Sequence, residues 1–300
     1  MNFIKFRKKN LYVENISGLT LAKNYETPFY CYSLSQLKNN FNVFRNAFKA
    51  TKPLICFSLK SNSNMTLIRE LKKMGCGADV VSMGELLKAT RAGINGKKIV
   101  FSGVGKTEDE IKTAIKKKIL LINMESENEA DVINNISRKM SKITSVGIRL
   151  NPNVTGKTNK KISTGGKNDK FGLNYNDCIN LCKKIKKMKN LKLEGISVHI
   201  GSQIIDIDPF KQVLKIINKI IAKTKMNFNF IDLGGGMGIS YSDNGEKFNL
   251  NKYAKLVNKF TKDKTFVAFF FDSFHEYPLL IIGIATFSRA VKSLKRLLCW

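Results

Sequence analysis

A regular alternation is what most constrains this chain: from residue 33 to about residue 261, short apolar runs are followed by amphipathic stretches, again and again. Leu34, Leu37, Phe41, Phe44 and Phe48 recur at three- and four-residue spacing and predict a core-facing helix. Strands are then expected at LICFSL (54–59), ADVVS (78–82), KIVFS (98–102), LLIN (120–123), SVGIRL (145–150), LEGISVHI (193–200) and NFIDL (229–233). Helices are expected over 65–74 and near 176–188, 209–223 and 251–261. Capping boxes announce three helix starts: Ser82 with Glu85, Thr107 with Glu110, and Ser126 with Glu129. These segments make seven βα units, which fit either a doubly wound sheet or an α/β barrel. Both architectures place functional residues just beyond the strand C-termini.

Size agrees with this pattern, since 300 residues suit one barrel of about 250 residues with flanking segments. The formal net charge of +29 raises the question of nucleic acid or an anionic membrane. Its lysines are spread along the chain on helical faces such as 116–118 and 183–187, with no aromatic residues interleaved as a base-stacking surface requires, so no nucleic-acid partner is expected. The six cysteines form no CxxC pair, and Cys178 with Cys182 has a helical spacing, so no metal site is expected. The N-terminal MNFIKFRKKN lacks an apolar core, which points to a cytoplasmic protein with no secretory signal. The apolar stretch 266–287 is broken by Asp272, His275 and Glu276 and is not expected to span a membrane.

Chemistry-bearing residues sit at the strand ends. Lys60 closes the run LICFSLK; a lysine leaving a buried strand is expected to have a partly desolvated amine, as Schiff-base chemistry needs. Taken alone it reads more readily as a strand-end lysine reaching solvent. Gly234, Gly235 and Gly236 in DLGGGMGI follow a strand and leave backbone N–H groups open to a phosphate, or else make a tight turn. His199, one of two histidines, and Ser202 lie in VHIGSQ; Asp79 and Arg149 occupy further strand ends.

Nine segments in order carry a resemblance: TPFYCYS (27–33), FSLKSNSN (57–64), GADVVSMGEL (77–86), IVFSGVGKT (99–107), INMESE (122–127), IRLNPNV (148–154), ISTGGKNDKFG (162–172), VHIGSQI (198–204) and DLGGGMGI (232–239). Together they resemble the fold-type III pyridoxal-phosphate decarboxylases, and the ISTG, KFG and HIGSQI wording looks like the diaminopimelate branch. That resemblance implies a (β/α)8 barrel of the TIM type and the decarboxylation of meso-2,6-diaminopimelate to L-lysine and carbon dioxide. It also implies that Lys60 holds pyridoxal 5'-phosphate as a Schiff base, that His199 stacks on its ring, and that Ser202 with Gly234–Gly236 holds the phosphate. Asp79 and Arg149 would line the pocket. Partners would be an amino-acid substrate and a second copy of the chain. Alternatives are a noncatalytic barrel that binds the cofactor, or an ornithine- or arginine-type decarboxylase.

The resemblance stops near residue 250. The family continues with an EPGR segment, whose Glu pairs with the pyridine nitrogen, and a β-domain that gives a Cys and a Tyr to the partner's site. Neither is recognisable here, and Cys299 is not that cysteine. The expected organisation is an N-terminal segment (1–32), a barrel (33–265) whose last unit is missing or divergent, and a divergent tail (266–300), with little or no turnover on meso-2,6-diaminopimelate expected even where the cofactor binds.

Overall fold

The computed structural model describes residues 3–156, 163–166, 169–239, 245–261, 267–271 and 280–282. The chain divides into two compact units, Met1–Phe44 with Ile239–Glu246 and Phe274–Trp300, and Arg45–Gly238 with Lys247–Ser273. In the first unit β1 (Ile4–Arg7), β2 (Asn10–Val13) and β3 (Ile16–Ser17) form an antiparallel meander. Helix α1 (Gly18–Asn24) follows, its Ser17 cap accepting the Thr20 N–H, then β4 (Phe29–Cys31) and the start of α2 (Leu34–Ala47). Val13 and Leu21 make a small core with Ile4, Leu11, Phe29 and Cys31. Glu14 accepts the Ser35 N–H and the Ser33 hydroxyl, each at 2.8 Å. Those bonds, the Ser35 N–H foremost, hold its carboxyl below the usual range despite partial burial.

The second unit is a closed barrel of eight parallel strands: β5 (Leu54–Ser58), β6 (Gly77–Val80), β7 (Ile99–Phe101), β8 (Leu121–Met124), β9 (Thr144–Arg149), β10 (Leu191–Ser197), β11 (Phe230–Asp232) and β12 (Val267–Phe271). Between them run α3 (Met65–Lys73), α4 (Met83–Arg91), α5 (Glu108–Lys116), α6 (Glu127–Lys139), α7 (Tyr175–Ile185), α8 (Asp208–Thr224) and α9 (Leu250–Thr261). Strand β12 pairs with β11 on one side and with β5 on the other, which closes the sheet. The eighth strand is therefore present. It lies just past residue 265, the expected end of the barrel, and escapes the sequence pattern because VAFFF is an unbroken apolar run whose period identifies neither strand nor helix. Strand β13 (Leu280–Ile282) pairs antiparallel with β4, and the rest of 266–300, Cys299 included, lies outside the described residues.

Alternation along the barrel strands sorts their side chains. Ile55, Phe57, Ala78, Val80, Ile99, Phe101, Ile122, Met124, Val146, Ile148, Ile196 and Ile231 are buried on the helix-facing side. Inside, Cys56, Val100 and Leu121 cluster with Leu54 and Phe230. Glycines make room for that cluster: a Cβ on Gly195 would come within 2.7 Å of Leu121, and one on Gly77 within 2.8 Å of the Cys56 sulfur. One step nearer the strand C-termini the interior turns polar, with Ser58, Asp79, Asn123, Ser197 and Asp232 all buried. Strand β10 carries a bulge at Glu194, whose carboxylate accepts from Ser145 Oγ at 2.5 Å and Asn229 Nδ2 at 2.9 Å.

Of the three capping boxes, the one at Thr107 and Glu110 closes as expected. In α4 and α6 the serine caps, but the glutamate reaches one residue further back, Glu85 to the Val81 N–H and Glu129 to the Glu125 N–H, both at 2.8 Å. These helices are thereby tied to the residues that follow their strands.

Candidate active site at the C-terminal end of the barrel

Closure of the barrel gathers the candidate residues at one end. Strand β5 leads to Lys60, β6 carries Asp79, β9 ends in Arg149, β10 leads to His199 and Ser202, and β11 leads to Gly234, Gly235 and Gly236. Only β12 separates β5 from β11, so the lysine turn and the glycine loop, far apart in sequence, are near neighbours around the ring.

The lysine turn is held from below. Leu59 donates its N–H to the Asp79 carbonyl at 3.0 Å, and Ser58 Oγ donates to Asp79 Oδ2 at 3.2 Å. Lys60 itself is exposed, which corrects the expected partial desolvation: the strand stops at Ser58, and a turn carries the lysine out of it. Glu85 faces the same region; burial pushes its carboxyl above the usual range, and the Val81 N–H and the charges of Lys60 and Lys88 oppose that rise.

The glycine loop is stitched to the segment after β10. Ile204 donates to the Gly236 carbonyl and Gly238 to the Ile204 carbonyl, both at 2.8 Å. At Gly236, with φ of +82°, a Cβ would lie 1.8 Å from the Gly201 carbonyl and 3.3 Å from Ser202 Cα; at Gly234, with φ of +67°, it would lie 2.8 Å from His199 Nδ1. Both positions require glycine. The Gly234 N–H, expected to face a phosphate, instead donates to Asp232 Oδ1 at 2.7 Å. Among the described residues the N–H groups of Gly235 and Gly236 have no partner, and both glycines are buried. Two backbone donors close to Ser202 are thereby open to an anion.

His199 is fixed through its backbone, whose carbonyl accepts Thr164 Oγ1 at 2.8 Å, while Ser163 bridges Gly201. These contacts explain why ISTG and HIGSQ occur together; Ile162, Lys167 and Asn168 of the same segment lie outside the described residues. Arg149 pairs with Glu125 at 2.8 Å and lies over the Phe171 ring at 4.8 Å. Two further buried atoms near this end, Asn123 Oδ1 and Ser197 Oγ, have no hydrogen-bond partner among the described residues.

The family described as "Pyridoxal-dependent decarboxylase, pyridoxal binding domain" matches residues 34–268, from α2 into the closing strand. The chain belongs to that family. It is 40% identical over 242 residues to the diaminopimelate decarboxylase of Aquifex aeolicus and 41% identical over 241 residues to that of Helicobacter pylori, covering 80% and 79% of this chain. The chain spans 57% and 59% of the length of those two relatives. In structure it resembles diaminopimelate decarboxylase from M. jannaschii in complex with L-lysine (TM-score 0.83, 31% identity, 90% of this chain and 66% of that one). The L-lysine complex of the Helicobacter pylori enzyme gives a TM-score of 0.78 at 37% identity, covering 84% of this chain and 64% of that one.

The residues present fit the cofactor of these decarboxylases: a lysine at the mouth, a buried pair of glycine N–H groups that a Cβ would obstruct, and buried polar atoms left without partners beneath them. Sequence reasoning missed Glu125 and the polar interior positions Ser58, Asn123, Ser197 and Asp232, and read Glu85 only as a helix cap. For Ser58, Asn123, Ser197 and Asp232 the signal was available, because each interrupts an apolar strand at an inward position close to its C-terminus, where a purely structural barrel would carry Val, Ile or Leu. Among the described residues no group of three or more His, Cys, Asp or Glu is placed to hold a metal, and no helix is long and apolar enough to cross a membrane.

Proposed function

We propose that this chain binds pyridoxal 5'-phosphate covalently through Lys60 and acts in the decarboxylation of meso-2,6-diaminopimelate to L-lysine and carbon dioxide. One observation carries the reading: barrel closure sets an exposed lysine turn after β5 and a buried, glycine-lined anion cradle after β11 around the same mouth. Relatives named diaminopimelate decarboxylase, and neighbours solved with L-lysine, support the substrate, since loss of one carboxylate from diaminopimelate leaves lysine.

When bound, the cofactor supplies the sink for the electron pair left behind as carbon dioxide departs. Lys60 would hold the cofactor covalently through its amine. The Gly235 and Gly236 N–H groups with Ser202 hold the phosphate and fix the orientation of what is attached to it. His199, seated against Gly234, flanks the ring, and Asp79 and Arg149 line the pocket. Borohydride reduction of the pyridoxal-phosphate-treated chain followed by peptide mapping is expected to label Lys60. A label on another lysine, or none on folded protein, overturns the assignment; lysine release from meso-diaminopimelate tests the substrate.

A further inference from the structure

Glu125 is absent from the residues the sequence singled out, yet it joins more of the mouth than any of them. It follows β8, and its side chain is 5% exposed. Its Oε1 accepts Arg149 Nη1 at 2.8 Å and the Gly103 N–H at 3.2 Å; its Oε2 accepts the Gly172 N–H at 2.8 Å. One carboxylate therefore binds the loop after β7, the end of β9 and the segment leading to α7. Its own backbone is braced as well. The Glu125 N–H donates to Glu129 Oε2, while Glu129 Oε1 takes the ammonium of Lys106, which is 1% exposed. The other two Lys106 bonds go to the Gly103 and Asn123 carbonyls, at 2.6 and 2.7 Å, so this buried cation is saturated and cannot move without breaking three contacts.

Arg149 is gripped on two sides, at one edge by Glu125 and on its face by Phe171. Among the described residues Nη1 is its bonded nitrogen, which leaves the rest of the guanidinium for the mouth. Gly172 allows this grip: its φ is +73°, and a Cβ there would lie 2.8 Å from the Arg149 carbonyl.

We propose that Glu125 is the positioning residue of this site, balancing the Arg149 charge and locking the loops of Gly103 and Gly172 around the guanidinium. The proposal rests on the cofactor reading above for its chemical consequence, and on geometry alone for the clamp. With Glu125→Gln the Arg149 charge loses its counter-charge, so the mouth becomes more positive and a cationic adduct at Lys60, which Glu85 and Lys88 also face, would be disfavoured. Arg149→Met removes the cation instead and acts in the opposite direction.

The test uses the full chain saturated with pyridoxal phosphate, following the visible absorption of the covalent adduct against pH. Glu125→Gln is expected to lower the midpoint by about 0.5 unit or more, Arg149→Met to raise it, and the double variant to return close to the starting value. A role confined to folding predicts no such reversal. An unchanged midpoint in folded Glu125→Gln, or a double variant displaced further than either single one, overturns the proposal. If Glu125→Gln does not fold, Arg149→Met decides: no rise means no charge coupling. Amide hydrogen exchange in cofactor-free protein reads the clamp separately. The Gln side chain offers one acceptor oxygen in place of two, so the Gly103 or Gly172 amide should exchange at least about tenfold faster while Val198 does not change. Failure of the native chain to form any adduct sinks the cofactor reading, and exchange then decides the clamp.

Discussion

The two halves of the barrel interior are built from the same strands, two residues apart, and are opposite in character. The half toward the strand N-termini is a dry plug of Cys56, Val100 and Leu121 over Leu54 and Phe230, with glycines admitting close contact. The half toward the C-termini holds Ser58, Asp79, Asn123, Ser197 and Asp232, with two of its buried polar atoms lacking partners among the described residues. A barrel needs only the first kind of packing to be stable. Burying the second kind costs free energy unless something meets it, so the difference separates what makes the chain fold from what the chain is for.

The largest expected effect lies above the polar half. Lys60→Ala should abolish the borohydride-fixed pyridoxal label completely while moving stability by less than about 0.5 kcal/mol, because the side chain is exposed. Peptide mapping and a urea melt on the same sample check both halves of that statement; a persisting label of undiminished yield would show that another lysine serves. Next comes the plug. Leu121→Ala removes a residue that is 2% exposed and should cost about 2–5 kcal/mol. Its label should survive wherever the variant is folded. Loss of labelling in folded Leu121→Ala would show that the two halves are not separable.

How legible this was in the sequence follows the same division. The plug and the helix-facing rows are apolar runs, so seven strands were readable from pattern, and the eighth was lost because VAFFF has no period and is not followed by a helix signal. Lys60, His199 and the three glycines stood out because lysine after a buried strand and consecutive glycines are locally odd. Glu125 did not, because its meaning comes from Arg149, Gly103 and Gly172, which lie 24, 22 and 47 residues away. Nor could sequence show that Gly234 spends its N–H on Asp232, leaving Gly235 and Gly236 as the donors.

A smaller effect of opposite sign is expected in the polar half. Ser197 is 3% exposed and its hydroxyl has no partner among the described residues, so Ser197→Ala removes a desolvated group and breaks no bond. In cofactor-free protein this should raise stability by about 1 kcal/mol or leave it unchanged, where Leu121→Ala lowers it. Urea denaturation of the two variants side by side reads the sign; a loss above about 1 kcal/mol for Ser197→Ala would mean that the hydroxyl is satisfied and that the contrast between the halves is weaker than drawn.

The smallest effect is a pH dependence that differs between the two ends. At the lower end Glu194 fills the bulge in β10; burial pushes its carboxyl up, but the bonds from Lys192, Ser145 and Asn229 outweigh this and hold it below the usual range. A depressed carboxyl stabilises the fold above the ordinary carboxylate pKa, and that contribution is lost as pH falls through the folded-state value. Glu85 at the mouth is the reverse: burial keeps its carboxyl raised, so ionising it opposes folding, and acid relieves the penalty. Comparing each Glu→Gln variant with the native chain between about pH 7 and about pH 3 should therefore give gaps that move in opposite directions. The native chain loses ground to Glu194→Gln as acid is added and gains ground on Glu85→Gln. Urea midpoints at each pH measure both gaps. If they move together, the two ends share one electrostatic environment and the division of the interior is a matter of packing alone.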